Sequence, residues 1–162
     1  MRFYRLLYNL FAVISFLPIL YLMIFLPDRA LYSVPAPFSV LMRLGQGISL
    51  VFLIAAVFQT GVLSFAGLQQ LLEEEKRGQL MTGGFYRYVR HPLYTFSLLV
   101  LWLSPTMSLN TFIVYLGLTI YILIGIAFEE RKLLREFGEE YARYRSVTPM
   151  LIPGRRILPK AE

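Results

Sequence analysis

The sequence predicts an all-α integral membrane protein. About four transmembrane helices are expected, the last two forming a C-terminal helical hairpin, with a cytoplasmic amphipathic helix and tail closing a pocket against their polar ends. Three observations predict this. Of the 162 residues, 57% are hydrophobic, above the share of about one half found in soluble domains. Several apolar runs approach the ~20 residues needed to cross a hydrocarbon core. Basic residues gather at the N-terminus, between 68 and 92, and in the tail, while the 27–37 and 104–110 loops are nearly empty of positive charge. Both termini then lie in the cytoplasm by the positive-inside rule, and a bacterial inner membrane is the expected location.

The chain opens Met1-Arg2-Phe3-Tyr4-Arg5, a positive start like that of a signal peptide. The apolar run after it is long and lacks a small-residue cleavage site, so it reads as a retained anchor. This first span covers about 6–26, with Pro18 able to kink it. A loop with Pro27-Asp28-Arg29 and Pro35-Ala36-Pro37 leads to a second span over about 38–67. Arg43, Gln46 and Gln59 interrupt that span and should face protein, water or headgroups. Gly45, Gly47 and Gly61 allow close helix contact. Interhelical hydrogen bonding or snorkelling is the simpler reading of these polar residues, ahead of a direct substrate role.

Residues 68–90 are polar, and Glu73-Glu74-Glu75-Lys76-Arg77-Gly78 reads as a solvated helix end and turn. Apolar sequence returns over 93–103, breaks at Ser104-Pro105, and runs again over 111–128, which predicts two membrane helices and a tight hairpin. The amphipathic stretch 131–137 follows, stopped by Gly138 in a C-capping position. Tyr141, Tyr144, Thr148-Pro149 and Ile152-Pro153-Gly154 then alternate with arginines. With no internal repeat, residues 1–162 form a single membrane domain: two N-terminal spans over 1–67, a core over 68–154, and a basic tail over 155–162.

The net charge of +6 lies at the ends of apolar runs, where the lipid bilayer and its headgroups account for it without nucleic acid. The absence of cysteine and the single histidine exclude disulfides, thiolate nucleophiles and Cys- or His-rich metal sites.

Under the four-span layout, residues 83–94, the pair Glu129-Glu130 and the tyrosine-rich tail meet at the cytoplasmic boundary. Pro92 suits the first turn of a helix, which places His91 at its cap beside unpaired backbone donors. Such a helix start favours an anionic ligand group. Carboxylates at the end of an apolar run need a cation, and Arg87, Arg90, Arg131 or a charged ligand could supply it. Each feature also has a plainer reading. A junctional histidine serves as a headgroup or cap contact, an acidic pair as a solvated helix face, and interfacial tyrosines as anchors. Composition and spacing therefore give a polar pocket without naming a reaction.

The run Arg90-His91-Pro92-Leu93-Tyr94, followed one helical hairpin later by Glu129-Glu130, Phe137-Gly138-Glu139-Glu140-Tyr141 and Tyr144, resembles the isoprenylcysteine carboxyl methyltransferase family. That broad membrane group includes phospholipid and small-thiol methyltransferases. The resemblance extends from about residue 70 to 154, and includes Gly84-Phe85-Tyr86 at family spacing. It implies S-adenosylmethionine as cofactor, held in the pocket between hairpin and tail. A small lipophilic or lipid-borne acceptor would arrive from the bilayer. Gln79, Leu80 and Met81 would line the cofactor, Tyr86 would pack near its adenosine, and His91, Pro92, Leu93 and Tyr94 would continue that wall. Glu129 would bind its ammonium, with Glu130 in support. Binding needs no Gly-x-Gly-x-x-Gly loop, which the sequence lacks.

Two departures from the family pattern mark the acceptor side. Phe96 stands where many relatives have glycine, and Gly125 stands where prenylcysteine enzymes carry an arginine. Both are therefore expected to line the acceptor site, and prenylcysteine itself is disfavoured. A sulfonium donor needs chiefly alignment and exclusion of water. A carboxylate or thiolate acceptor requires no general base, whereas for an amine or hydroxyl His91 or Glu130 is the candidate. Two other functions fit the same residues: an NADPH-dependent membrane reductase of the sterol-reductase type, and a non-enzymatic bundle.

Overall fold

The computed structural model describes residues 27–60 and 79–154, together with the isolated helical positions Ile14, Leu17, Pro18, Tyr21 and Phe25. The basic N-terminus, the charge run 73–78 and the tail 155–162 lie outside the described residues. So does most of the first expected span. In chain order the elements are β1 (Ala30–Ser33), α1 (Phe38–Thr60), a 3-10 turn (Gly84–Arg87), α2 (Pro92–Trp102), β2 (Thr106–Ser108), α3 (Leu109–Phe137) and α4 (Glu139–Val147).

Two helices, α1 and α3, are long and apolar enough to cross a membrane. Their 23 and 29 residues correspond to ~35 and ~44 Å of helix. Most of their large apolar side chains face outward, Leu41, Ile48, Val51 and Phe58 on α1 and Ile113, Ile120 and Ile124 on α3 among them. The third expected span is shorter than a bilayer. α2 has 11 residues, or ~16 Å against a ~30 Å hydrocarbon core. Its limits are set locally. Pro92 opens it, and at its far end the chain leaves the helix at Leu103 to enter Ser104-Pro105 and β2.

The all-α expectation is corrected by a two-stranded antiparallel sheet. β1 pairs with β2 in the register Ala30↔Ser108, Tyr32↔Met107 and Ser33↔Thr106, with a bulge between Ala30 and Tyr32. The two loops thus satisfy one another's backbone groups, as any chain beside an apolar phase must. Val34 N donates to Pro105 O (2.8 Å) and Leu109 N to Arg29 O (2.8 Å). Asp28 Oδ1 accepts from the backbone of Arg29 (2.9 Å) and Asn110 (3.2 Å). Ser108 caps α3 through Thr111 N at 3.3 Å.

α1 lies along α2. Gln46 donates to Val100 O at 2.8 Å, the interhelical role expected of it, and a Cβ at Gly45 would come within 3.0 Å of Leu103 Cδ1. Phe52, Phe85 and Phe96 form a three-ring cluster with centroids 5.4–5.7 Å apart, joining α1, the 3-10 turn and α2. α2 meets α3 where Trp102 Nε1 donates to Thr119 Oγ1 (2.9 Å) and packs edge-on against Phe112 and Tyr115. These contacts put the 27–37 and 104–110 loops at one end of the bundle and the 83–91 junction, Glu129-Glu130 and α4 at the other.

In the otherwise cysteine-free chain, single cysteines at Ser33 and Arg143 are expected to react with an impermeant maleimide from opposite faces of sealed vesicles. Labelling of both from one face would contradict the arrangement.

Candidate functional site

The junction is built around a buried guanidinium. Arg90 precedes α2 and is 5% exposed. Its Nε and Nη2 donate to Glu130 Oε1 at 2.8 and 2.5 Å. Its Nη1 donates to the carbonyls of Arg145 (3.1 Å) and Thr148 (2.6 Å). Of the cations weighed for the acidic pair, Arg90 is the one engaged, while Arg87 and Arg131 are exposed. Arg145 Nε approaches Glu130 Oε2 from the other side at 3.4 Å. The Tyr141 hydroxyl is buried in the same cluster without hydrogen-bond geometry to any described residue.

Backbone bonds extend this knot into a strap. Arg90 N donates to Pro149 O (2.9 Å) and His91 N to Met150 O (3.2 Å). The hydroxyl of Thr95, one turn into α2, donates to Leu151 O at 2.8 Å. Residues 148–151 therefore lie across the start of α2. The segment expected to be a tail first forms a helix, α4, after Gly138 ends α3 with φ of 54° and an N–H bond to Leu134 O. Tyr144 OH on α4 donates to Tyr86 O (2.6 Å), and the Tyr86 hydroxyl meets Thr60 Oγ1 (2.9 Å) at the end of α1. Gln59 completes the tie to the turn, donating to Gly83 O (3.0 Å) and accepting from Phe85 N (3.3 Å).

His91 is the N-cap residue of α2, but its side chain makes no cap bond. The imidazole instead stands between the two acids. Nε2 is 3.4 Å from Glu130 Oε1 and Nδ1 is 3.8 Å from Glu129 Oε2. Burial pushes the His91 pKa below the ordinary imidazole value, against the opposing pull of Glu129 and Glu130. The ring is neutral at pH 7. The same burial holds the phenols protonated: Tyr141 is pushed up to about 12, and Tyr86 and Tyr144 also rise.

The acidic pair is divided in role. Glu130 is enclosed by Arg90, Arg145 and His91, whereas the Glu129 side chain is 46% exposed. Its distance from His91 exceeds hydrogen-bond length, so the Glu129 carboxylate is left open to solvent.

Of the other residues singled out in the sequence, Pro92 is fully buried, and Leu93 and Tyr94 are half-buried. The Tyr94 ring lies 5.8 Å from that of His91. Gln79 and Met81 are exposed and Leu80 half-buried, in chain without regular secondary structure before the turn. Phe96 sits in the α1-facing ring cluster. Gly125 lies on α3 one turn before Glu129. An open depression of about 330 Å³ is lined by Gln59, Gly84, Phe85, Arg87 and Tyr88, none of them assigned to the cofactor. Thr60, Thr95 and Arg145 were not foreseen. Thr95 was open to detection, standing one turn after His91 on the same face.

A family model described as phospholipid methyltransferase matches residues 40–140, more than half of the chain, and the chain belongs to that family. It is 40% identical over 108 residues to a methanethiol S-methyltransferase of Crocosphaera subtropica, covering 64% of this chain and 42% of that protein. It is 34% identical over 132 residues to a methanethiol S-methyltransferase of Pseudomonas deceptionensis, covering 78% and 49%. The chain thus spans about half the length of these relatives, or less. No solved structure matches it. Within the broad group resembled, the match lies with the phospholipid and small-thiol methyltransferases.

The lowered His91 pKa fixes the sign of a pH effect. Above the unfolded value of ~6.5 both states are neutral and stability is unaffected. As pH falls below it, the unfolded chain takes up the proton first and stability declines until the folded value is passed. Thermal melts between pH 7.5 and 5.5 should show this decline in the wild type and a smaller one in His91→Gln. Equal slopes would contradict a buried neutral imidazole. Thr95→Val should cost about 1 kcal/mol in the same assay by releasing the strap carbonyl.

Proposed function

We propose that this member of the phospholipid methyltransferase family is an integral membrane enzyme that methylates a small thiol with S-adenosylmethionine. The single observation that carries the reading is the division of the acidic pair. Glu130 is committed to the arginine knot, and Glu129 stands beside it open to a cation. The methyltransferases of this family use S-adenosylmethionine, whose ammonium suits that carboxylate, and the aromatic rings around the junction suit an adenine and a sulfonium. The residues therefore fit the cofactor.

Four spans with cytoplasmic termini would put this pocket on the cytoplasmic side and give the acceptor access from the bilayer. The relatives named for methanethiol support a thiol acceptor, and their names favour methyl transfer over an NADPH-dependent reduction. Gly125, which offers no charge to hold a carboxylate, agrees with an uncharged or lipophilic acceptor in place of prenylcysteine. Phe96 reaches the acceptor side only through the ring cluster it completes.

When bound, the cofactor supplies an already activated methyl group. The chain supplies alignment and dryness. Glu129 holds the ammonium end. The strap 148–151 and the half-buried Leu93 and Tyr94 wall the site, with Gln79, Leu80 and Met81 on the irregular chain before the turn and Tyr86 fixed by Thr60 and Tyr144. Arg90 and Glu130 position these parts.

Glu129→Ala is expected to weaken binding of S-adenosylhomocysteine at least tenfold by calorimetry in detergent, with an unchanged melting temperature. Undiminished affinity would refute the assignment of Glu129. Absence of any heat with the wild type would refute the cofactor.

A further inference from the structure

We infer that His91 is the proton acceptor for the thiol, and that Glu129 passes the proton on to solvent. The inference rests on the thiol reading above and extends it to a catalytic residue.

A neutral imidazole carries one N–H and one bare nitrogen, and His91 faces a carboxylate on each side. The shorter contact, Nε2 to Glu130 Oε1 at 3.4 Å, assigns the N–H to Nε2. That leaves the Nδ1 lone pair turned toward Glu129 Oε2, 3.8 Å away. Two electron-rich groups face each other there with no proton between them. A proton arriving on Nδ1 turns this repulsion into an ion pair and gives the imidazolium a carboxylate at each end.

The surrounding charges favour that outcome. From α3, Glu129 and Glu130 stabilise the imidazolium. Arg90 opposes it, but its charge is neutralised by Glu130, to which Arg145 from α4 is also bound. The Tyr94 ring lies 5.8 Å from the imidazole, and the phenols of Tyr86, Tyr141 and Tyr144 are kept protonated by burial. Burial keeps the ring neutral while it waits, and the carboxylates support it once charged.

The step balances. The thiol S–H bond breaks and its proton goes to Nδ1. The sulfur pair forms the new S–CH3 bond, and the pair of the broken methyl–sulfonium bond stays on the donor sulfur, leaving a neutral thioether. Once S-adenosylhomocysteine has left and its ammonium no longer occupies Glu129, the imidazolium returns its proton through that carboxylate, whose side chain is 46% exposed, to water. A thiol with a pKa near or above ~8.5 is mostly protonated at pH 7 and needs this base. An acidic aryl thiol is already ionised and does not.

The test compares ethanethiol with 4-nitrothiophenol as acceptors for wild type and His91→Gln, whose amide retains a donor for Glu130. His91→Gln should lose about 100-fold or more in kcat/KM with ethanethiol. With 4-nitrothiophenol the loss should be no larger than the loss of calorimetric affinity for S-adenosylhomocysteine, which His91 supports as part of the cofactor wall. The wild-type rate with ethanethiol should fall on acidification as His91 takes a proton, and the aryl-thiol rate should not. Equal losses with both thiols, or an unchanged ethanethiol rate, would overturn the role of His91 while leaving the thiol reading intact. Failure of the wild type to methylate either thiol would overturn that reading and this inference with it. His91→Asn serves as a second variant should the glutamine protein not fold.

Discussion

The ion pair between Arg90 and Glu130 is the constraint on which the junction depends. A guanidinium that is 5% exposed can remain charged only if its donors are used, and Arg90 distributes them between one carboxylate and two carbonyls. Those partners belong to α3, to α4 and to the chain after α4. One side chain therefore fixes the start of α2 against three later segments. Removing either charge would strand the other in a poorly solvated place, at a cost of about 3–5 kcal/mol.

The same logic of satisfied backbone groups shapes both ends of the bundle. At the end away from the acidic pair, two loops with no helix to join pair as β1 and β2. At the polar end, the first N–H groups ahead of α2 are taken up by the carbonyls of Pro149 and Met150. α2 can be only 11 residues long because irregular backbone on either side of it finds partners in protein. The price of that short helix is a chain that must return as a strap, and the strap is what closes the candidate site.

Much of this was legible in the sequence because it follows from local rules. Pro92 at a helix start, Gly138 at a helix end and the two apolar helices α1 and α3 are matters of period and punctuation. The convergence of residues 83–94, Glu129-Glu130 and the tail followed from charge placement and from a family resemblance. What escaped depends on distance. Nothing local marks Ala30–Ser33 and Thr106–Ser108 as partners, since each is a short segment whose pairing is decided by helix ends far apart in the chain. The choice of Arg90 over Arg87 and Arg131 is likewise tertiary, as all three lie near the acids in sequence-based topology and only burial separates them. Helix α4 was hidden by its weak apolar pattern, which places Tyr141 alone in the core. The different directions of Phe96, toward α1, and Tyr94, toward His91, follow from their ~200° separation on one helix.

The most direct test is a double-mutant cycle on Arg90→Met and Glu130→Leu, read in melting temperature and in affinity for S-adenosylhomocysteine. If the pair fastens the site, each single substitution lowers both quantities strongly. The double variant, which strands neither charge, then recovers at least about half of the lost stability. Losses that simply add, or a cofactor affinity untouched by either single substitution, would contradict the account.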